Sequence, residues 1–237
     1  MKFKKLFIII PLAILSLLLI FHKPLTHWFL EYNSHKTHQG SGLKPEYDSS
    51  KAQSISPLQA VKLQFDASKL RAEGQIAIPD VGINLSIFEG LNNEHLLSGA
   101  GEQLPRTKMK MGQEGNYILA SHLSEDPKLL FSPLRQLKDG TDIYITDGKQ
   151  IYVYQSDWRK TVNKANTTAL NEEVPAGEKW LTLYTCLNYG TTYRVVVRAH
   201  LINQIDVKLA SNRDLQPFFN KSNEMTGYLK WYYLHHY

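Results

Sequence analysis

The pattern of hydrophobic and polar positions is most distinctive at the start of the chain. Lysines crowd residues 2–5, an apolar run extends from Leu6 to Phe21, and Trp28 and Phe29 follow it. A helix rising about 1.5 Å per residue covers roughly 24 Å over this run, and the aromatic pair suits the headgroup layer. No small-residue cleavage motif closes the run. The sequence therefore predicts an uncleaved transmembrane signal anchor over residues 1–30, with its lysine-bearing end in the cytoplasm.

A polar segment then separates the anchor from the folded unit. Residues 31–56 are rich in Ser, Lys, Gln, Gly and His, which is typical of a solvated stalk. Ser56 and Pro57 fit an N-cap followed by a proline at the first helical position, so a short helix is predicted to open the folded unit. We expect this unit to cover residues 57–203 and to be followed by a C-terminal extension, residues 204–237, with no predicted role.

Beyond Gly74 the pattern changes to short segments in which apolar and polar residues alternate, which is typical of β-strands. The turn Asp147-Gly148 predicts a type I′ hairpin. Beyond Gly74, short helices are expected near 92–98 and 132–138, so the fold class is mainly β, a mostly antiparallel sheet or closed barrel. The polar segment 163–179 is predicted to be a long loop over a groove. The predicted strands are 75–79, 83–88, 116–122, 142–146, 149–154, 180–186 and 193–201.

Composition and charge narrow the classes of function. The chain of 237 residues is 43% hydrophobic and 21% charged, which is ordinary for a globular protein. Four of its 27 basic residues lie in the first 30, so the remainder carries 23 basic against 22 acidic residues. A nearly neutral body argues against nucleic-acid binding, which requires a clustered basic surplus. The sequence has one cysteine and no zinc-ligand spacing, so no internal disulfide and no metal site are expected.

The single cysteine, Cys186, closes a predicted strand in which Leu181, Leu183 and Thr185 share one face. If the leucines face the core, Cys186 lies on the opposite and more accessible face. A hairpin centred on Gly190 places Arg194 opposite Cys186, where opposed Cβ atoms are about 4.5–5.5 Å apart. The guanidinium would there favour the thiolate and donate to an oxyanion. In the same register Arg198 faces Thr182.

A thiol nucleophile also needs a proton partner. Among the nine histidines, His122 closes an apolar strand, a good location for a general acid/base, and no Asp or Asn partner for it is evident in the sequence. On residue type alone, a structural role is the more common one for a free Cys, a strand-end His and a strand Arg. Both interpretations therefore stay open at the level of spacing.

A wider set of motifs gives these residues a context. Thr182 to Cys186 matches the TLxTC signature of sortases, the membrane-anchored cysteine transpeptidases of Gram-positive bacteria. An Ala120-Ser121-His122 strand end lies upstream, and Arg194 follows the cysteine by eight residues. Over roughly residues 70–203 the chain resembles this family in the order and spacing of its sequence blocks. The resemblance implies an eight-stranded sortase β-barrel.

The resemblance also implies roles for individual residues. Cys186 is expected to be the nucleophile, His122 the general acid/base, and Arg194 the group that holds the substrate backbone and the oxyanion. The expected reaction cleaves an LPXTG-type signal between Thr and Gly through a thioester. The surface protein then passes to an amine of the lipid-linked peptidoglycan precursor at the outer membrane face. Substrate-binding residues are expected to be Ala120, Thr182, Tyr184 and Thr185.

Within the family the chain looks most like class A, the housekeeping type, because it has no Asp-Pro-aromatic lid of the kind carried by class C pilin polymerases. Some class A enzymes bind calcium before the His strand, but the stretch from Glu102 to Glu114 here contains Arg106, Lys108 and Lys110. We therefore expect no metal cofactor. A class C sortase, a cysteine peptidase with water as acceptor, and a non-catalytic wall module are the alternatives. An L,D-transpeptidase is excluded because its His-Gly-Cys arrangement is missing.

Overall fold

The computed structural model describes residues 10–12, 16, 39–48, 69–124, 126–165, 173–186, 192–220 and 223–237. Of the predicted anchor, only 10–12 and 16 fall within these ranges, and they are helical. The predicted helix beginning at Pro57 lies outside them. Among the residues that the structure describes, no helix is both long and apolar enough to span a membrane.

The strands form the closed barrel that the alternating pattern predicts. They are β1 (Ala72–Ile78), β2 (Ile83–Glu89), β3 (Gly99–Glu102), β4 (Gly115–Ala120), β5 (Asp142–Thr146), β6 (Gln150–Asn163), β7 (Lys179–Cys186) and β8 (Tyr193–Asp206). These eight strands close in the order β1-β2-β3-β4-β7-β8-β6-β5. Six neighbouring pairs are antiparallel, whereas β2 with β3 and β4 with β7 are parallel. The short strand β3 was not predicted.

Short helices decorate the barrel, as expected. The α-helices are α1 (Asn93–Ser98), α2 (Asn212–Leu215) and α3 (Gly227–His236), and the 3-10 helices are Pro79–Val81, Ser132–Gln136 and Gln216–Phe218. The predicted helices near 92–98 and 132–138 are both present, and the second is a 3-10 helix with a proline in its first turn. The site described below depends chiefly on α1.

The strands that carry the candidate site are buried on both faces. Leu181 and Leu183 point into the barrel and belong to its main apolar core. On the outer face, Tyr184 packs with Val196 and with Leu96 of α1 in a second apolar cluster. Helix α1 and its neighbours cover most of this face, so Thr182 and Tyr184 are buried, whereas Cys186 is more accessible than the rest of 181–186, as predicted. Cys186 itself is half-buried, since it lies at the end of its strand.

Several predicted strand boundaries differ in the structure. The prediction that His122 closes a strand was wrong, because β4 ends at Ala120, two residues before it. β6 continues to Asn163 and β8 to Asp206, and the two strands pair over almost their whole length. Of the predicted loop 163–179, Asn163 ends β6 and Lys179 begins β7, and residues 166–172 lie outside the described ranges. The extra strand residues of β6 are mostly exposed and polar, so they lack the period-two apolar pattern that marks a half-buried strand.

The turn between β5 and β6 is a hairpin turn, although not of the predicted type. Gly148 has a positive φ of 84°, but Asp147 is not among the described residues with positive φ, as a type I′ turn requires. Instead, Asp147 Oδ1 accepts hydrogen bonds from the backbone N–H groups of Lys149 (2.9 Å) and Gln150 (2.8 Å). The carboxylate thus closes the turn, which is a common use of Asp at such positions.

The chain beyond β8 returns along the outside of the barrel. Leu215, Phe218 and Leu229 pack with Ala77 of β1 and with β6 in an apolar cluster. Gln75 of β1 reinforces this packing, because its Oε1 accepts a hydrogen bond of 2.9 Å from Leu229 N. The C-terminal segment therefore contributes apolar contacts to the barrel wall on the side away from β7.

Candidate active site

Cys186 and Arg194 face each other across the hairpin formed by β7 and β8. The antiparallel register pairs Cys186 with Arg194 and Thr182 with Arg198, which confirms the predicted register. Arg194 is 6% exposed, and its Cζ lies 4.8 Å from the centroid of the Tyr184 ring. Such a cation–π contact fixes a guanidinium near a chosen point at little cost in flexibility. The pairing of β7 with β8 thus places the positive charge of Arg194 beside Cys186, the only thiol of the chain.

His122 reaches the same end of the barrel from the other neighbour of β7. β4 and β7 are parallel, with Ala120 opposite Tyr184, and Ser121 N donates to Tyr184 O over 3.3 Å. The strand pairing ends at Ala120, and His122 follows two residues later, as Cys186 follows Tyr184. Cys186 and Arg194 are therefore paired on β7 and β8, and His122 follows the end of β4, the other neighbour of β7, by two residues.

The imidazole of His122 is held by helix α1. Its Nε2 lies 3.3 Å from Asn93 Oδ1, which accepts a hydrogen bond when Nε2 carries the proton. The backbone N–H of His122 and the hydroxyl of Ser121 both donate to Leu96 O over 3.2 Å. This tautomer leaves the lone pair of Nδ1 available for proton transfer. Asn93 is a partner that the sequence did not reveal, because nothing local links it to a histidine 29 positions later.

Burial sets the protonation state of this histidine. His122 is 9% exposed, and desolvation lowers its pKa from 6.5 to about 4, because the charged imidazolium loses its hydration. The resting imidazole is therefore neutral near pH 7. Burial also raises the pKa of the neighbouring Tyr184 phenol to about 12, so that ring remains uncharged beneath Arg194.

The four residues expected to bind substrate are all buried in the structure. Ala120 and Tyr184 belong to the outer apolar cluster next to Cys186. Thr182 Oγ1 donates to Asn116 Oδ1 (2.7 Å) and accepts from Arg198 Nε (2.9 Å). Thr185 lies on the core-facing side, and its hydroxyl has no hydrogen-bond partner among the residues described. Thr182 thus ties β4, β7 and β8 together below the site.

The stretch before β4 is organised by a buried ion pair. Glu102 accepts from Arg106 Nε over 3.3 Å and from the Tyr117 hydroxyl, and Arg106 also lies 3.6 Å from Glu73. Burial nevertheless raises the pKa of Glu102 to about 7, since desolvation exceeds the attraction of Arg106. Within the described ranges, no three His, Cys, Asp or Glu side chains converge in a way that could hold a metal ion.

Comparison with known proteins finds one family that the chain resembles. The sortase domain model covers residues 76–202. The chain belongs to the sortase family. Sortase A of Streptococcus agalactiae serotype III is 33% identical over 94% of this chain and 95% of the relative. Sortase A of Listeria monocytogenes serovar 1/2a is 32% identical over 76% of this chain and 82% of the relative.

A solved structure supports the same assignment. The crystal structure of Listeria monocytogenes sortase A has 34% sequence identity and a TM-score of 0.53, and the match covers 57% of this chain and 90% of that one. Sortases are cysteine transpeptidases found at the surface of Gram-positive bacteria, so this sortase is an enzyme of that type. The eight-stranded barrel that the resemblance to sortases implied is the one observed.

Proposed function

We propose that this sortase cleaves an LPXTG-type sorting signal between its Thr and Gly and transfers the surface protein to an amine of the peptidoglycan precursor. The observation that carries the proposal is the pairing of Cys186 with Arg194 on β7 and β8, with His122 just past the end of the adjacent strand β4; we call these three residues the row. A nucleophile, a cation for the oxyanion and a proton carrier are the three groups that acyl transfer requires. The row supplies one of each.

In the first step, the Cys186 sulfur attacks the carbonyl carbon of the signal threonine. The thiol proton passes to neutral His122, whose lowered pKa of about 4 keeps the free imidazole available near pH 7. The carbonyl oxygen becomes an oxyanion that Arg194 stabilises. When the bond to glycine breaks, His122 gives its proton to the leaving amine, and a thioester to Cys186 remains.

In the second step, the acceptor amine attacks the thioester carbonyl. His122 removes a proton from the attacking nitrogen, the bond from carbon to sulfur breaks, and the departing thiolate recovers a proton from His122. Asn93 remains hydrogen-bonded to Nε2 throughout. The other ring nitrogen, Nδ1, therefore carries the proton in both steps. The enzyme returns to its starting protonation state, and the surface protein is joined to the precursor by an amide bond.

The four predicted substrate-binding residues fall into two pairs that differ in how deeply they are buried. Ala120 and Tyr184 lie in the apolar cluster beside the row, where we propose that they line the groove for the signal. Thr182 and Thr185 are more deeply buried, so we propose that they act by fixing the position of β7. We propose that this groove runs between β4, β7 and α1.

Class A is the class we propose, because the two relatives that match most of this chain are both sortases A. Anchoring by residues 1–30, with the catalytic barrel on the outer face, follows from the apolar run at Leu6 to Phe21 and the lysines before it. We assign no role to calcium, since the acidic side chains Glu73 and Glu102 are both ion-paired with Arg106. Both proposed substrates are available at this membrane face.

A quenched LPXTG peptide tests the proposed reaction. The full chain in detergent micelles is mixed with the peptide, with and without a glycine-terminated amine, beside the Cys186→Ala variant and a scrambled peptide. We expect cleavage by the parent alone, with the product joined to the amine. Cleavage that yields only the free acid in the presence of amine would identify a peptidase. Selective cleavage of pilin-type signals instead would move the chain to another sortase class.

A further inference from the structure

The segment 39–48, which we call the N-terminal strap, belongs to the predicted stalk and crosses the barrel surface towards the candidate active site. Its first half is fixed to the entrance of β1, where Gln39 pairs with Arg71, Gly40 N donates to Leu70 O over 2.7 Å, and Gly42 N donates to Lys69 O over 2.9 Å. Leu43 then packs against the apolar cluster around Leu70. The strap is thus anchored before it reaches the site.

The second half of the strap binds the turn that precedes α1. Leu91 N donates to Glu46 O over 2.5 Å, and Tyr47 OH donates to Glu89 Oε1 over 2.5 Å. Gly90 allows this close approach, because a Cβ at its position, which has a φ of +91°, would lie 2.9 Å from Glu46 N. Backbone and side chains therefore hold the strap against residues 89–92.

Asn92 is the centre of this contact. Its Oδ1 accepts from Glu46 N and its Nδ2 donates to Lys44 O, both over 3.1 Å. Asn92 is also the N-cap of α1, yet its side chain makes no capping bond to that helix. An N-cap asparagine normally accepts from the first turn of its own helix, so the strap has taken the place of that bond.

Helix α1 depends on such support because it is short. It has six residues, too few to be stable by helix propensity alone, and its cap side chain is directed to the strap. Asn93, the first residue of α1, holds His122 Nε2, and Leu96 O accepts from His122 N. A continuous series of hydrogen bonds therefore runs from Glu46 through Asn92 and α1 to the imidazole.

We propose that the N-terminal strap positions His122 for proton transfer, with Asn92 as the positioning residue that connects the strap to α1. Loss of the strap contacts loosens the first turn of α1, so Asn93 no longer fixes the Nε2–H tautomer. Small misplacements of a catalytic group reduce turnover up to about 10²-fold. The inference rests on the proposed function for its kinetic consequence, while the histidine tautomer provides a readout that does not.

A double-mutant cycle tests the connection in the full chain. Asn92→Ala and Asn93→Ala should each lower kcat about tenfold with KM nearly unchanged, because both disturb the same imidazole. The double variant should be no slower than the worse single variant. If the fold loss of kcat in the double variant equals the product of the two single losses, the proposal is overturned. The two side chains would then act independently and not through the same hydrogen bonds to His122. Lys44→Ala is the control, since only the backbone carbonyl of Lys44 binds Asn92.

A second variant separates positioning by the strap from simple helix capping. Asn92→Ser supplies a good N-cap but cannot bridge both strap groups, so we expect it to be as slow as Asn92→Ala. Full activity in Asn92→Ser would overturn the proposal in favour of capping alone.

The imidazole tautomer gives an independent measurement. In histidine ¹⁵N spectra, with His122→Gln used for assignment, the parent should show Nε2–H, and Asn92→Ala should show a tautomer mixture. An unchanged tautomer in Asn92→Ala would contradict the proposal, even if no LPXTG activity were found. An inactive parent with the predicted tautomer shift would instead count against the proposed function and leave the positioning role supported.

Discussion

At the residue scale, the proton carrier is defined by burial rather than by a charged partner. His122 is neutral near pH 7 because desolvation lowers its pKa to about 4, and Asn93 orients the ring without adding charge. A neutral amide suits a histidine that must both take and give a proton, since a carboxylate at that position would favour the imidazolium. Arg194 supplies the only fixed charge of the proposed row.

The burial of His122 predicts a pH dependence of stability. The unfolded chain binds a proton near pH 6.5 and the folded one near pH 4, so the free energy of unfolding should fall as pH decreases between these values. The loss should approach roughly 3 kcal/mol at the acidic end. Guanidinium unfolding of the parent and of His122→Gln at several pH values measures the difference. A parent and variant with parallel pH profiles would contradict the lowered pKa.

Glu102 should show the opposite sign. Its folded pKa of about 7 lies above its usual 4.5, so the folded state binds more protons between these values, and its contribution to stability falls as pH rises. Glu102→Gln removes this pH-dependent contribution. The free energy of unfolding of the variant should therefore lie further below that of the parent at pH 4.5 than at pH 7. The same guanidinium series measures it, with Asp139→Asn as an exposed control. Equal differences at both pH values would contradict the raised pKa.

Arg194 should not be replaceable by another cation. Arg194→Lys keeps the charge but loses the planar stack on Tyr184, so we expect kcat/KM for the LPXTG peptide to fall by about 10² or more. Tyr184→Phe keeps the aromatic face and should change kcat/KM less than about threefold. Steady-state kinetics of both variants separates the contributions. Parent activity in the Arg194→Lys variant would show that charge alone suffices.

At the element scale, β7 is the strand on which the site depends, and its two neighbours were predictable to different degrees. The hairpin to β8 is local, so counting residues about Gly190 placed Arg194 opposite Cys186 correctly. The parallel pairing with β4 is not local, because no turn joins these strands and the register is set by packing through the whole barrel. The sequence therefore predicted His122 as a candidate but not its position beside Cys186.

Other elements were missed for related reasons. β3 is only four residues long and rich in glycine, so it offers no alternation to detect. Asn93 and Asn92 lie in or next to a helix that was predicted, but their partners, His122 and the strap, come from distant parts of the chain. Contacts between elements far apart in sequence, rather than the elements themselves, are what the sequence alone did not reveal.

A polar link among the three site strands gives an element-scale prediction. Thr182 on β7 joins Asn116 on β4 to Arg198 on β8 through its buried hydroxyl. Thr182→Val keeps the shape but removes both bonds, which should cost about 1–3 kcal/mol of unfolding free energy. Thr182→Ser retains the hydroxyl and should cost less. Guanidinium unfolding followed by tryptophan fluorescence compares them, and equal stability of Val and Ser variants would contradict the link.

At the scale of the whole molecule, segments that precede and follow the barrel strands both pack on the outside of the barrel. The N-terminal strap lies along residues 69–71 and 89–92, and the C-terminal segment lies along β1 and β6. Leu43 of the strap and Tyr228 and Tyr232 of α3 meet in one apolar cluster. Outside the predicted catalytic unit, the described stretch 39–48 and the described C-terminal residues are thus part of the packed structure rather than additions to it.

The C-terminal helix should accordingly stabilise the barrel. Leu229 is fully buried, so Leu229→Ala should lower the free energy of unfolding by about 2–5 kcal/mol. Leu234 lies on the same helix but is 72% exposed, so Leu234→Ala should change it by less than about 0.5 kcal/mol. Chemical unfolding of the two variants gives the comparison. Similar small effects would mean that α3 is not coupled to the barrel.

The account as a whole depends on a thioester to Cys186, and intact-mass spectrometry tests it most directly. The full chain is mixed with an LPXTG peptide without an amine acceptor and quenched in acid. We predict an added mass equal to the peptide through its threonine, lost on treatment with hydroxylamine and absent in Cys186→Ala. Because the chain has one cysteine, the site of a thioester is unambiguous. Peptide cleavage that persists in Cys186→Ala would contradict the account.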